Sequence, residues 1–303
     1  MDIFLALLTF FAYAFIVAAY GSKVVKYARM PIHLRWELFT STEAAKPGCY
    51  EGSPATSEQR ACQSNKWWLS NAWSFLRDYL WFPSYLSHSK VYWILLYIAH
   101  IGFVGLIIFQ LLCIGTAVGT YIIADHPFDA VDKTTGILVV LRITLGIISF
   151  AAGIIGNIGL MLFRINYQSL RLYTPPLTFI GYCVSIGISL IGFLLWLMSD
   201  PRFSGYVTFF IGMVRLQPVE VSGWLGVFIL LNAFHLIYLP FTPGFHYVTR
   251  AFAFFGVQLD MRPNIKGGTI EKAVTQIMKK RITWSAPHIK PGQTWEEAAK
   301  DKN

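Results

Sequence analysis

Five long apolar runs constrain this chain more than any other feature. They cover residues 3–20, 91–119, 137–163, 177–198 and 223–250. About 20 apolar residues are enough for a helix to cross a bilayer, and a helix satisfies its own backbone hydrogen bonds within lipid. The composition agrees, because 55% of the residues are hydrophobic and only 14% are charged. We therefore expect an all-α integral membrane protein with five transmembrane helices.

The positive charges orient these spans. Lysine and arginine number 9 in segment 21–90, 2 in the loop after the third span and 10 from Arg250 onward, against 4 on or near the opposite side. Because cytoplasmic loops carry the excess of lysine and arginine, the N-terminus is expected outside and the C-terminus in the cytoplasm. The same preference accounts for the net charge of +9, so no nucleic-acid partner is expected.

The predicted parts are a five-helix membrane domain, 1–250, and a cytoplasmic tail, 251–303. The membrane domain includes the cytoplasmic segment 21–90, in which the tryptophan-rich piece 67–81 predicts a helix lying in the membrane interface. In the outer segment 199–222, the apolar piece GYVTFFIGMV is too short to span, so we expect it on the surface. The tail holds the amphipathic piece TIEKAVTQIMKKRI and too little apolar content for its own core, which suggests docking on a partner subunit.

Several reaction classes have no residues to carry them. The five apolar runs contain no aspartate or glutamate, and the chain has no glycine-rich phosphate loop or nucleophile elbow. The cytoplasmic pair Cys49 and Cys62 matches no zinc or iron–sulfur spacing, and Cys113 and Cys183 lie in different spans. Hydrolysis and phosphoryl transfer are therefore not expected.

Histidines are the remaining candidates. His235 and His246 are 11 residues apart in the last run, so on one continuous helix they would share a face about 16 Å apart. His246 precedes Arg250 by four residues and His100 follows Lys90 by ten, which places both in the cytoplasmic half. Two imidazoles from antiparallel spans can bind a heme iron from both faces. The alternative is two hydrogen-bonded core histidines, and spacing alone leaves both open.

Four phrases carry a resemblance to a known family. YIAHIGFVGLIIFQ resembles the second span of the respiratory nitrate reductase gamma subunit family, and YLPFTPGFHYVTR resembles the end of its fifth span, with a Pro-Phe-Thr turn six residues before a histidine. The resemblance covers all five spans. MPIHLRWELF and WSAPHIKPGQTWEE are similar to the branch found in heterodisulfide-reductase-like menaquinol complexes of sulfur-metabolising prokaryotes.

The resemblance implies a b-type cytochrome of the prokaryotic cytoplasmic membrane. Such a subunit exchanges electrons between menaquinone, or a related quinone, and a cytoplasmic iron–sulfur partner, and other membrane or extracytoplasmic subunits of the complex are compatible with it. The resemblance assigns the axial heme ligands to His100 and His246. The alternative is a membrane anchor for a soluble redox partner, with a reduced or lost role in electron transfer.

The resemblance also bears on the number of hemes. The family's second heme, in the outer half, uses positions that are Gln110 and Phe228 here. Since both ligands are missing together, one heme b is expected. The alternative is two hemes in a shifted register, with His88 paired with His246 and His100 with His235. His235 itself is open to three interpretations: a residue that carries protons or contacts quinone, a core histidine, or a heme ligand.

A quinone site is expected in the outer half. Its candidate hydrogen-bonding residues are Gln110, Lys133, Arg142 and His235, which lie in the outer halves of spans two, three and five and in the loop between spans two and three. A site there would release the protons of a quinol outside. For Arg142 the alternative is snorkelling, in which a long side chain reaches the interface without binding any ligand.

Overall fold

The protein is described by a computed structural model. The described residues are 2–29, 67–123, 136–217, 219–221, 223–242, 246–253, 266–286 and 289–300. Across these ranges the chain is mostly helical, and its only extended pairing is two isolated bridges in the tail. Five helical segments are long and apolar enough to cross a membrane. The predicted all-α membrane fold is therefore confirmed.

The helices are numbered in chain order within the described ranges. The longest, with 34 residues, measures about 51 Å at 1.5 Å per residue, which exceeds the hydrocarbon thickness of a bilayer. The helices are α1 (Asp2–Ala28), α2 (Trp67–Leu80), α3 (Pro83–His88), α4 (Lys90–Ile123), α5 (Ile137–Asn166), α6 (Gln168–Leu172), α7 (Pro176–Met198), α8 (Ser204–Arg215), α9 (Gly223–Tyr238), α10 (His246–Ala253), α11 (Thr269–Met278) and α12 (Trp295–Lys300).

The fifth candidate span contains a break in its α-helix. α9 ends at Tyr238, a 3-10 turn follows at Leu239–Phe241, and α10 begins at His246. Pro240 lies in the turn, where it has no amide hydrogen to donate and its ring would clash with the carbonyl four residues earlier in an α-helix. The predicted shared face of His235 and His246 assumed one continuous helix, and the described turn interrupts that helix. The turn coincides with the Pro-Phe-Thr phrase.

Small residues allow α4 and α5 to pack closely. A Cβ atom added to Gly102 would overlap the backbone of Gly153, and one added to Gly156 would overlap the backbone of Ala99. Apolar side chains gain little by leaving lipid, so helices in membranes associate mainly through such close packing. The spacing of Gly153 and Gly156 places both on one face of α5, and that face fixes its position against α4.

The chain divides into two compact units. The first comprises Met1–Tyr20 and Phe82–Phe245, and the second comprises Gly21–Trp81 and His246–Asn303. The tail thus groups with most of the cytoplasmic segment that the sequence analysis placed in the membrane domain. Part of the tail is folded, with Ile282 and Ile289 buried, which the sequence analysis did not predict.

Replacing Gly102 with alanine should destabilise the bundle. The new Cβ would force α4 and α5 apart, and overpacking of this kind costs about 1–3 kcal/mol. Gly115→Ala is the matched control, because no atom lies within 4 Å of its added Cβ. The free energy of unfolding in detergent micelles measures both. Equal stability of the two variants would contradict the proposed packing.

Candidate functional site

His100 is held in one tautomer by its own helix. Its Nδ1 lies 2.8 Å from the carbonyl oxygen of Leu96, one turn earlier in α4. A carbonyl oxygen can only accept a hydrogen bond, so Nδ1 carries a proton, and in the neutral imidazole the lone pair is then on Nε2. Metal-ligating histidines are oriented in this way. The half-buried imidazole also packs against the Phe82 ring, with centroids 4.8 Å apart.

His246 opens α10 in the second compact unit, and its side chain is exposed. Aromatic side chains of the same unit hold the helix that carries it. The Tyr79 hydroxyl, on the tryptophan-rich helix α2, donates to the Tyr247 carbonyl oxygen at 2.7 Å, and the rings of Tyr27 and Phe252 stack at 5.9 Å. Burial raises the pKa of the Tyr79 phenol, so it remains a donor at neutral pH.

Each of these two histidines, taken by itself, has the donor chemistry of a heme ligand. Among the described residues, no three His, Cys, Asp or Glu side chains form a cluster that could hold a bare metal ion. A porphyrin supplies four nitrogen ligands, so its iron needs only one or two from the protein. His100 presents Nε2 as a ligand atom, and His246 has an exposed imidazole. The two lie in different compact units.

Gln110 belongs to a buried polar network that joins four helices. Its Nε2 donates to Asn232 Oδ1 at 2.5 Å, and its Oε1 accepts from the Tyr13 hydroxyl at 3.2 Å. The Asn232 Nδ2 donates in turn to the Tyr206 hydroxyl at 3.2 Å. These side chains come from α1, α4, α8 and α9. Both the amide nitrogen and the amide oxygen of Gln110 form hydrogen bonds inside the protein. These bonds stabilise the contact between the helices.

Phe228 lies at the centre of a ring cluster and is fully buried. Its ring meets Phe150 and Tyr206 edge-on, at centroid distances of 5.6 Å and 5.1 Å. Phe109 stacks on Tyr206 at 6.0 Å and meets Phe203 at 4.9 Å. Such edge-on and offset pairs contribute about 0.5–1.5 kcal/mol each beyond their burial. Tyr206 contributes its ring to this cluster and its hydroxyl to the polar network.

The helix that supplies Tyr206 was expected on the surface, and that prediction is wrong. Seven of the twelve residues of α8 are buried. The helix is about 18 Å long and cannot span a bilayer. Non-spanning backbone is tolerated at membrane depth when it is buried in protein. Left-handed residues flank it, Phe203 at φ 52° and Leu216 at φ 55°, and they turn the chain sharply at both ends.

Asp200 caps the N-terminus of α8. Its Oδ1 accepts from the Ser204 amide at 2.8 Å, and its Oδ2 accepts from the amides of Gly205 and Tyr206 at 2.9 Å and 3.3 Å. Burial raises the pKa of the Asp200 carboxyl, while these amides and the positive charge of Arg142 oppose the rise. The cap satisfies three amides that have no partner within the helix.

Arg142 is completely buried, which favours a partner within the protein over snorkelling. Its Nε donates to the Arg202 carbonyl oxygen at 2.8 Å, just before α8. Within the described chain, the buried Nη2 has no hydrogen-bond partner. An unpaired donor of this kind costs about 1–3 kcal/mol and more for a charged group. An oxygen acceptor from a bound ligand would therefore be favoured at this position.

The other predicted residues are not brought into one cluster. His235 is 7% exposed and lies edge-on to Phe103 at 6.3 Å, an arrangement that favours a core histidine without testing the other two interpretations. His88 is exposed, with Nδ1 3.2 Å from the hydroxyl of Ser87. Lys133 lies outside the described residues.

Sequence reasoning missed Tyr13, Asn232, Tyr206 and Asp200. Two signals were available. Asn232 is a polar residue inside an apolar run, which in a span usually faces a partner within the bundle. Asp200 precedes Ser204 and an apolar helix, a pattern typical of a capped helix N-terminus. The partners of Gln110 could not be found without the position of α8.

Comparison with known proteins does not assign the chain to a family. No family model, no curated protein and no solved structure matches the chain. The resemblance described under Sequence analysis therefore stays a prediction.

Replacing Tyr206 with phenylalanine should destabilise the protein by about 1–3 kcal/mol, because the buried Asn232 Nδ2 loses its acceptor while the ring packing is kept. Tyr173→Phe is the control, since that side chain is 88% exposed. Thermal unfolding in detergent compares the two variants. If Tyr206→Phe unfolds at the parental temperature, the network does not hold α8 in place.

Proposed function

We propose that the chain is the heme b membrane subunit of a prokaryotic respiratory redox complex. In this proposal it exchanges electrons between a membrane quinone, such as menaquinone, and a cytoplasmic iron–sulfur subunit. His100 and His246 hold the heme. The observation that carries the proposal is the hydrogen bond from His100 Nδ1 to the Leu96 carbonyl oxygen, which directs the Nε2 lone pair away from the helix backbone. A heme bound by two imidazoles supplies reversible one-electron transfer with no open coordination position.

The packing of the first unit supports one heme and not two. Gln110 is held by Asn232 and Tyr13, and Phe228 is enclosed by aromatic rings. Neither residue can ligate iron, and Tyr206 fills the region where the network and the ring cluster meet. A second porphyrin would have to displace the buried residues of α8. We therefore assign one heme to each chain.

Arg142 supports a quinone site in the outer half. Its Nη2 is a buried donor without an acceptor in the described chain, and a quinone carbonyl is an acceptor of the required kind. Gln110 is no longer a good candidate, because both of its polar ends are engaged. Lys133 and His235 remain predicted members of the site. In this proposal Arg142 orients the quinone, and Asp200 balances its charge.

The alternative function is a membrane anchor for a soluble redox partner. The observation that favours it is that side chains of the protein fill the region around Tyr206 and Phe228. The reduced-minus-oxidised absorbance spectrum of the purified full chain separates the two functions. We expect the bands of low-spin heme b. A spectrum without these bands would support the membrane-anchor function instead.

His100→Ala and His246→Ala should each abolish the heme b spectrum while the protein stays in the membrane, because each removes one axial ligand. His88→Ala is the matched control, since this histidine is exposed and contacts Ser87. Heme content per chain measures the effect. Undiminished heme in His100→Ala or His246→Ala would show that the ligand assignment is wrong.

The parental protein should contain one heme per chain. A measured ratio of two, together with loss of heme in His88→Ala and His235→Ala, would instead support the shifted register. Pyridine hemochrome absorbance divided by protein concentration gives the ratio.

Arg142→Ala should slow quinol-driven heme reduction in membranes. The loss of a hydrogen bond from a charged donor costs about 1.5–3 kcal/mol, which corresponds to roughly tenfold or more in rate. Lys133→Ala and His235→Ala test the other predicted members, and Arg215→Ala, at the exposed end of α8, is the control. Heme content is checked separately. Parental rates in all three variants would place the quinone elsewhere, near the tryptophan-rich helix α2.

A further inference from the structure

The folded part of the tail exposes two tryptophans on one small surface. Trp284 is 48% exposed and Trp295 is 37% exposed, and their rings meet edge-on at 6.0 Å. Backbone hydrogen bonds hold them together, from the Ile282 amide to the Gln293 carbonyl oxygen and from the Gly292 amide to the Ile282 carbonyl oxygen, both at 2.8 Å. Exposed indole rings fixed side by side in this way form a surface suited to an interface between apolar and aqueous phases.

Cations lie beside these rings. The Trp295 amide donates to the Lys280 carbonyl oxygen at 3.2 Å, which joins the base of α12 to the run Lys279, Lys280 and Arg281. All three cationic residues are exposed. We name these three residues together with Trp284 and Trp295 the Trp–Lys patch.

The nearby carboxylates are already engaged. Glu297 accepts from the Thr294 amide at 2.6 Å, while its own amide donates to the Thr294 hydroxyl at 3.2 Å, which is a capping box. Glu296 pairs with Lys300 at 2.6 Å. These hydrogen bonds lower the pKa of both carboxyls. In the described tail, Lys279 and Lys280 form no ion pair. The Arg281 Nη1 donates to the Gly292 carbonyl oxygen at 2.9 Å, and Lys279 and Arg281 act on Glu296 and Glu297 only through space. The two lysines therefore carry the attraction to an external anion.

We propose that the Trp–Lys patch binds the anionic cytoplasmic surface of the membrane in which the chain is embedded. Indole rings settle at the level of lipid headgroups, and each lysine or arginine near an anionic leaflet adds attraction. Only 12 residues, 254–265, connect α10 to the folded part of the tail, and a linker of this length reaches at most about 45 Å. Because of this short linker, the membrane surface has a high effective concentration near the patch. An acidic protein that diffuses freely has no such advantage as a partner. The proposal does not depend on the heme.

The test compares the full chain in two kinds of nanodisc. One contains phosphatidylcholine alone, and in the other a third of the lipid is phosphatidylglycerol. Hydrogen exchange is followed by mass spectrometry in peptides that cover 279–286 and 289–297. We expect slower exchange in the anionic nanodiscs. The double variant Lys279→Gln with Lys280→Gln should weaken this binding about 25-fold, at roughly fivefold for each lysine.

A matched control removes the same charge elsewhere in the tail. Lys266→Gln with Lys272→Gln should keep most of the protection, since both lysines lie outside the patch. Equal exchange of parent and variants in phosphatidylcholine shows that the module stays folded. If the patch peptides of the parent exchange hydrogen equally fast in both nanodiscs, the proposal is overturned. The remaining candidate partner of the patch would then be a protein surface. If both double variants lose the same protection from exchange in anionic nanodiscs, the proposal is also overturned. The attraction would then depend on the total charge of the tail and not on this patch.

Discussion

The hydrogen bonds among Gln110, Asn232 and Tyr206 are the interaction on which the rest of the first unit depends. Each is buried, and each would carry an unsatisfied polar group in an apolar interior if its partner moved. Since they belong to α4, α9 and α8, they fix the short helix between two spans. The position of α8 brings Tyr206 against Phe228 and the first amides of the helix against Asp200. It also places the Arg202 carbonyl oxygen next to Arg142.

This arrangement suggests how a cofactor site can be replaced. The resemblance implies heme ligands at the positions of Gln110 and Phe228. In this chain the Gln110 amide bonds to Asn232 and the Phe228 ring packs against Tyr206. In the proposal, the buried side chains of α8 occupy the region that a second heme would need. The proposed single heme on His100 and His246 leaves this outer region to hold the bundle and, through Arg142, to bind quinone.

Hydrophobic runs made the spans predictable, because length and apolar content alone decide whether a helix can cross a bilayer. Two elements were not predictable in that way. α8 has the composition of a surface piece, and its burial depends on tertiary partners such as Phe109 and Asn232, which lie far away in sequence. The break in the fifth segment depends on Pro240, whose effect was outweighed in the sequence analysis by the apolar character of the whole run. Arg142 was a candidate from the start, but only the fold shows which of its nitrogens lacks a partner.

The central claim is one bis-histidine heme in each chain. Electron paramagnetic resonance of the oxidised full-length protein in detergent tests it most directly, because the signal reports both the axial ligands and the number of hemes. The account predicts one low-spin ferric signal typical of two imidazole ligands, integrating to one spin per chain. No low-spin signal, or two distinct ones, would contradict it.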